Sequence, residues 1–248
     1  MDYSIIIPAY NEELYLPTTI KSLRVGMDLL SDHKGEIIVV DNNSTDSTNR
    51  LSHELADKVV FAKTRGIAFS RNAGAYESLG EYIFFVDADT QVHPNTLLEA
   101  LNAMQSGKVG AGGANLRFDQ THGKWLCGVA MPNLWNWISR TFRLAAGSFI
   151  FCTRRLFVES GGFSEKIYAG EEIYFSQSVK KLCRKQNKDF LILRENPVVT
   201  SSRKLEWFSS TRIMLNLFLL LFFPLAIRFR SLCGFWYERP EGSGPQGS

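Results

Sequence analysis

The chain has 248 residues, of which 45% are hydrophobic and 21% charged, with a formal net charge of +3. That length suits one large α/β domain or a domain with an appendage, and the composition is that of an ordinary globular protein. A net charge so small excludes the strongly basic balance of a nucleic-acid binder, so no nucleic-acid partner is expected.

Ser4–Pro8 is an apolar run that reads as a strand, followed by a loop through Glu12. Glu13–Leu30 places Leu16, Ile20, Leu23, Met27 and Leu30 near helical spacing. Glu36–Val40 reads as a second strand ending at Asp41, and Asn42–Asp46 as a turn rich in helix caps. Thr45–Leu55 then reads as helix, Lys58–Ala62 as strand, Gly66–Leu79 as helix despite Gly74, Tyr82–Val86 as strand and Pro94–Ser106 as helix. Strands alternating with helices predict a parallel βαβ sheet, with the polar residues after each strand gathered along one edge.

The middle is less regular. Val109–Phe118 reads as a strand interrupted by glycines, and Trp125–Phe142 is rich in aromatics. Leu144–Thr153 reads as a strand and is followed by a helix through Val158. Gly161-Gly162-Phe163 is a turn, and Gly170–Lys185 becomes helical after Glu171 and Glu172. Phe190–Leu193 and Val198–Thr200 read as two short strands.

Ile213–Ile227 is nearly all hydrocarbon, about fifteen residues flanked by Arg212, Arg228 and Arg230. It falls short of the ~20 residues that span a bilayer comfortably. Core packing, a homo-oligomer contact and a segment lying in the membrane surface all fit it. Glu241–Ser248 has the composition of a disordered tail. The four cysteines, Cys127, Cys152, Cys183 and Cys233, have neither metal-ligand spacing nor a disulfide framework. No charged-then-apolar leader precedes the first strand, which favours the cytoplasm.

The stretch richest in chemistry is Tyr82–Thr90, an apolar run ending in Asp87-Ala88-Asp89. The carboxyl ends of strands in open α/β sheets are where ligands bind. Side chains two apart on a strand point the same way, so both carboxylates are expected to face one pocket. Like charges held close need a cation or hydrogen-bond donors, and a hard divalent ion bridging to phosphate is one solution. The alternative is a solvated turn with Asp89 as a helix cap.

Around this stretch the motifs fall in a definite order. Ser4-Ile-Ile-Ile-Pro8-Ala9-Tyr10-Asn-Glu12 comes first, then Ile37-Ile-Val-Val-Asp41-Asn-Asn43-Ser-Thr-Asp46. Gly66-Ile-Ala-Phe-Ser-Arg71-Asn-Ala-Gly74 and Phe85-Val-Asp87-Ala-Asp89 follow, then Ala146-Gly147-Ser148, Gly161-Gly-Phe163 and Gly170-Glu-Glu172. The series resembles the family 2 glycosyltransferases over roughly residues 1–205. The resemblance implies the GT-A fold, a Rossmann-like, mainly parallel mixed sheet flanked by helices. A nucleotide-binding half (1–118) and an acceptor half (119–205) would precede a C-terminal apolar helical extension (206–240).

The resemblance also implies inverting transfer of a sugar from a nucleotide diphosphate donor to a hydroxyl, with Mg²⁺ or Mn²⁺. Pro8, Ala9, Tyr10 and Glu12 match the loop bordering the base, and Asp41 the acid that bonds it, with Asn43 beside it. Arg71 matches a basic residue near base and diphosphate. Asp87 matches the ribose-facing acid of the DXD motif, with Ala88 between it and the metal-binding Asp89. Gly147 and Ser148 match the small-residue segment beneath the sugar. Glu172 matches the usual catalytic base, with Glu171 as rival, since adjacent helical residues point about 100° apart and only one is expected to face the pocket.

Two departures stand out: Glu-Glu replaces the commoner Glu-Asp, and the late histidine of some relatives is missing from Val199–Arg203. Arg203 or Lys204 is a substitute cation for the diphosphate, or a surface ion-pair partner. The reading is therefore a metal-dependent glycosyltransferase with a UDP-sugar favoured by Asp41, and a glycan or lipid carrier as acceptor. It would sit in the cytoplasm or peripherally on the inner membrane face through Ile213–Ile227. A silent nucleotide-sugar-binding subunit and a nucleotidyltransferase are the rivals; the latter lacks the expected glycine-rich basic first loop.

Overall fold

The computed structural model describes residues 1–120, 123–203, 207–209 and 211. One eight-stranded sheet, in the order β3-β2-β1-β4-β7-β6-β8-β5, forms its middle layer. The strands are β1 (Tyr3–Ala9), β2 (Gly35–Asp41), β3 (Lys58–Phe61), β4 (Tyr82–Val86), β5 (Thr90–Gln91), β6 (Val109–Phe118), β7 (Phe149–Thr153) and β8 (Asp189–Thr200). The helices are α1 (Leu16–Asp28), α2 (Thr48–Leu55), α3 (Ile67–Glu77), α4 (Pro94–Gln105), α5 (Met131–Phe142), α6 (Arg154–Ser160) and α7 (Glu171–Lys185). A π-helical turn over Leu126–Ala130 leads into α5.

The first four long strands follow the predicted parallel βαβ winding: β1 pairs in parallel with β2 and β4, and β2 with β3. Pro8 lies opposite Val40 and Ala9 opposite Asp41, so the loops after β1 and β2 leave the sheet together. The second half breaks the pattern. β7 runs antiparallel to both β4 and β6, and β5 antiparallel to β8. β6 and β8 again pair in parallel, so among the described residues four of the seven pairings are parallel and the expected fold class, mixed and mainly parallel, holds.

Alternation along the central strands sorts side chains into two cores. Ile5, Ile7, Ile37, Val39 and Phe84 join Leu16, Ile20, Leu97 and Leu101 on one face. Ile6, Ile38, Val40 and Phe85 join Ala68, Phe157, Phe163 and Phe175 on the other. A stack of Phe163 on Phe175, centroids 4.2 Å apart, meets Phe85 edge-on at 4.9 Å and fixes the start of α7 against β4.

Several expected boundaries move, each for a local reason. Helix α1 begins at Leu16 rather than Glu13, with Pro17 in its first turn, where its missing N–H costs nothing. Helix α2 begins at Thr48, because Asp46 accepts from the amides of Glu13 and Thr48 and Thr45 bonds Asn11. β7 begins at Phe149 rather than Leu144, leaving Ala146–Ser148 as a loop. The two short strands expected near the end are one strand, β8. Its apolar pattern is broken at Arg194–Pro197, yet the register with β6 resumes from Leu193 to Val198 across an irregularity. The apolar run Ile213–Ile227, Lys204, Cys233 and the tail lie outside the described residues. Among the described residues, no helix is long and apolar enough to cross a membrane.

Gly74 packs α3 closely against the sheet. A Cβ there would lie 2.5 Å from Ile6 Cγ2 and 2.8 Å from Val40 Cγ2. Gly74→Ala should therefore destabilise by about 1–3 kcal/mol through overpacking, although alanine is the better helix former by about 1 kcal/mol. Chemical denaturation measures this, and a stabilised variant would contradict the packing account.

Candidate active site

The site grows around a guanidinium. Arg71 lies on α3, and its side chain is 2% exposed. Nη2 donates to Asp87 Oδ1 at 2.9 Å and to the Gly147 carbonyl at 3.0 Å, while Nη1 donates to Glu171 Oε1 at 2.9 Å. The Phe163 ring lies beneath it, 5.1 Å from the guanidinium carbon. A Cβ on Gly147 would come within 2.9 Å of Nη2, so glycine lets the guanidinium reach the backbone. Arg71 is thus one group that makes the close approach to Gly147. Arg71 itself is committed to two carboxylates.

A cavity of about 350 Å³ opens beside this cluster. Arg71, Asp87, Ser148, Glu171, Glu172 and Thr200 supply its polar wall, and Leu116, Phe118, Met131, Pro132 and Trp135 its apolar wall. Both glutamates reach it, which corrects the expectation that only one would. They differ in environment. Glu171 is 4% exposed and neutralised by Arg71. Burial, then the neighbouring Glu171 charge, push the Glu172 carboxyl up from the ordinary 4.5 to about 8, against the pull of Arg71. Asp87 is pushed up to about 6, burial again outweighing Arg71. Gly170, at φ 73°, caps α7 so that both acids sit in its first turn, where the helix dipole favours negative charge.

Asp89 does not join Asp87 on that wall. The alternation argument fails because β4 ends at Val86 and Asp87–Thr90 is a turn, closed by Thr90 N to Asp87 O at 3.0 Å. Ala88 is buried and its carbonyl accepts from Thr19 Oγ1 at 2.8 Å, which ties the turn to α1. Asp89 faces Arg203, with Nη2 to Oδ2 at 2.9 Å. Arg203 also grips Glu12, which is itself buried.

The expected base pocket lies at the ends of β1 and β2. Asp41 is 2% exposed, and its oxygens accept from Ser44 N at 3.0 Å and Asn49 Nδ2 at 2.9 Å. Asn43, in the left-handed region at φ 67°, donates to the Ala62 carbonyl. The Arg65 guanidinium stacks 3.9 Å over the Tyr10 ring. Sequence reasoning missed Asn42, which pins the loop after β3 by donating to Ala62 O and Thr64 O and accepting from Gly66 N. It also missed Asn72, which clamps Phe163 from both backbone sides. An asparagine following each recognised motif residue was the only available signal. Trp135, from the aromatic-rich stretch Trp125–Phe142 whose tryptophans fit either stacking on sugar or lipid or core packing, lines the cavity. Its Nε1 and the Ser148 hydroxyl are buried with no hydrogen-bond partner among the described residues.

A family model described as glycosyl transferase family 2 matches residues 4–157, more than half of the chain. The chain belongs to glycosyl transferase family 2. Among its relatives, the dolichol-phosphate mannosyltransferase of Saccharomyces cerevisiae is 34% identical over 103 residues, 39% of this chain and 39% of that protein. The chain thus spans well under two thirds of that relative's length. The mannosyltransferase PcManGT from Pyrobaculum calidifontis, solved with GDP-Man and Mn²⁺, has the same fold. It superposes at a TM-score of 0.67 and 20% identity, covering 93% of this chain and 64% of that one. Staphylococcus aureus TarS 1–349 with UDP-GlcNAc gives 0.62 at 20% identity, covering 82% and 59%. The fold of this family 2 member is thus that of glycosyltransferases solved with nucleotide sugars, one carrying uridine and one guanosine.

The raised carboxyl of Glu172 has a thermodynamic consequence. The unfolded group ionises near 4.5 and the folded one near about 8, so the folded chain holds the extra proton between those values. Stability contributed by this group is full below about 4.5 and is lost as pH rises toward about 8. Denaturation midpoints should fall across that window, and fall less in Glu172→Gln. Parallel pH profiles for the two proteins would refute the environment assigned to Glu172.

Proposed function

We propose that this family 2 member is an inverting, metal-dependent glycosyltransferase that moves a sugar from a nucleotide diphosphate to a hydroxyl acceptor. The observation that carries the reading is the inequality of Glu171 and Glu172 in one cavity. Arg71 holds Glu171 as a structural carboxylate and leaves Glu172 as a proton acceptor poised near neutral pH. In the reaction the acceptor oxygen bonds to the anomeric carbon as the carbon–oxygen bond to the diphosphate breaks. The hydroxyl proton passes to Glu172. Attack opposite the leaving group inverts the anomeric centre.

Asp41 and the Pro8–Glu12 loop are assigned to the base and Asp87 to the ribose. Each Asp41 oxygen keeps a lone pair after bonding Ser44 and Asn49, enough to accept a ring N–H. UDP is the favoured carrier on that ground. Gly147 and Ser148 are assigned to the sugar. Among the described residues no group of three or more His, Cys, Asp or Glu side chains gathers as a metal cage. A donor set of one hard carboxylate, Asp89, completed by diphosphate oxygens fits Mg²⁺ or Mn²⁺. When bound, the ion offsets charge developing on the departing diphosphate.

The apolar wall formed by Leu116, Phe118, Met131, Pro132 and Trp135 supports an acceptor with its hydroxyl beside an apolar body, a lipid carrier before a free glycan. Peripheral membrane attachment through Ile213–Ile227 is part of the same proposal.

Glu172→Gln should lower kcat by about 10²–10⁴-fold while leaving the affinity for UDP-sugar within a small factor. In the native enzyme kcat/KM should climb as pH rises through about 8, because only the ionised Glu172 accepts the proton. A variant that keeps its turnover would remove Glu172 from the mechanism and return the role to Glu171.

A further inference from the structure

Asp89, the acid assigned to the metal, already faces a cation. The Arg203 fork meets Glu12 with both ends, Nη1 to Oε2 at 2.6 Å and Nη2 to Oε1 at 2.7 Å. The same Nη2 reaches Asp89 Oδ2 at 2.9 Å. The guanidinium carbon lies 4.8 Å from the centre of the Tyr15 ring and 5.4 Å from that of Trp207. These partners come from four separate places in the chain: the loop after β1, the start of α1, the turn after β4 and the segment beyond β8.

The two carboxylate contacts are unequal. The fork on Glu12 is bidentate, the strong geometry for this pair. The contact with Asp89 uses one nitrogen, already shared with Glu12. Arginine stays charged at any working pH, so it does not vacate Asp89 by losing a proton. A divalent ion arriving alone at Asp89 meets that positive charge at close range. A diphosphate arriving with it brings anionic oxygens that both cations can share. The guanidinium can then release its single Asp89 contact while Glu12, Tyr15 and Trp207 hold the rest of it in place.

We propose, on the reading that Asp89 holds the metal, that Arg203 is the resident counter-ion of the metal site, yielding Asp89 to a divalent ion chiefly when a nucleotide diphosphate binds with it and turning its released edge to the diphosphate. Arg203 is thus a positioning residue that couples the two binding events. The metal binds weakly by itself and tightly with nucleotide.

The test is calorimetric titration of Mn²⁺ into the full chain, by itself and with saturating UDP, with GDP as a parallel arm so that base preference does not decide the result. Nucleotide should tighten Mn²⁺ binding at least about fivefold in the native chain. Arg203→Gln should tighten Mn²⁺ binding in the absence of nucleotide and shrink that enhancement toward one. Glu12→Gln should act in the opposite direction on Mn²⁺ by itself, because it leaves the guanidinium to Asp89. A merely structural role would move both variants the same way. Trp207 emission, read against Trp207→Phe, should shift on adding Mn²⁺ with UDP in the native chain and not in Arg203→Gln.

Unchanged coupling in Arg203→Gln overturns the inference while leaving the metal assignment standing, provided Asp89→Asn abolishes Mn²⁺ binding. Native Mn²⁺ affinity in Asp89→Asn overturns the metal assignment and takes the inference with it.

Discussion

A guanidinium sealed between two carboxylates is the constraint on which the rest of this site depends. Arg71 is buried and cannot shed its charge, so the surrounding backbone must supply anions and acceptors for it. It draws them from the turn after β4 (Asp87), the loop before β7 (Gly147) and the first turn of α7 (Glu171). Three segments remote in sequence are thereby held at one point. Replacing such a group leaves buried carboxylates uncompensated, the costly way to break an ion pair. The pair's net contribution to stability is the smaller matter; its effect is to fix where the acids stand.

Together with Arg203, that placement divides five acids into roles their residue types do not distinguish. Asp87 and Glu171 are spent on Arg71, and Asp89 and Glu12 face Arg203. Glu172 is left without a cation of its own, next to a like charge and half-buried, which is why its carboxyl resists ionisation. One helix turn therefore carries two glutamates, one paired with a guanidinium and one without a paired cation. The difference is made by an arginine 100 positions away in sequence.

How much of this could be seen in the sequence follows the range of the forces involved. Periodicity located β1 to β4 and helices α3, α4 and α7 within a few residues, because each buries a stripe or face that its own residues announce. The sense of β7 could not be seen, since an antiparallel strand and a parallel one with both faces buried read alike. The continuity of β8 was hidden because Arg194–Pro197 broke the apolar pattern while pairing with β6 carried the strand on. Among the motif residues, Asp87, Arg71, Ser148 and both glutamates do converge on one cavity. Asp89 parts from Asp87 because the chain turns over Asp87–Thr90, beyond the end of β4, a turn held by Thr90 and Thr19 hydrogen bonds rather than set by side-chain alternation. Ala88 was noticed for its position between two acids and proves to be buried; its carbonyl does the anchoring.

The absence of a late histidine from Val199–Arg203 acquires a physical sense in this frame. β5 is only two residues long, yet it pairs Thr90 with Thr200 and Gln91 with Val199. The pairing carries the end of β8 directly over the turn that bears Asp89, and Ser201 N bonds the Asp89 carbonyl at 3.1 Å. Whatever side chain follows three residues beyond Thr200 is delivered to the acid. Here that side chain is a permanent cation rather than a neutral ligand. A neutral imidazole would add to a metal's coordination; a guanidinium competes for the same carboxylate, here while already forked onto Glu12. The short strand pair is thus more than a sheet edge: it determines that any ion reaching Asp89 does so in the presence of Arg203.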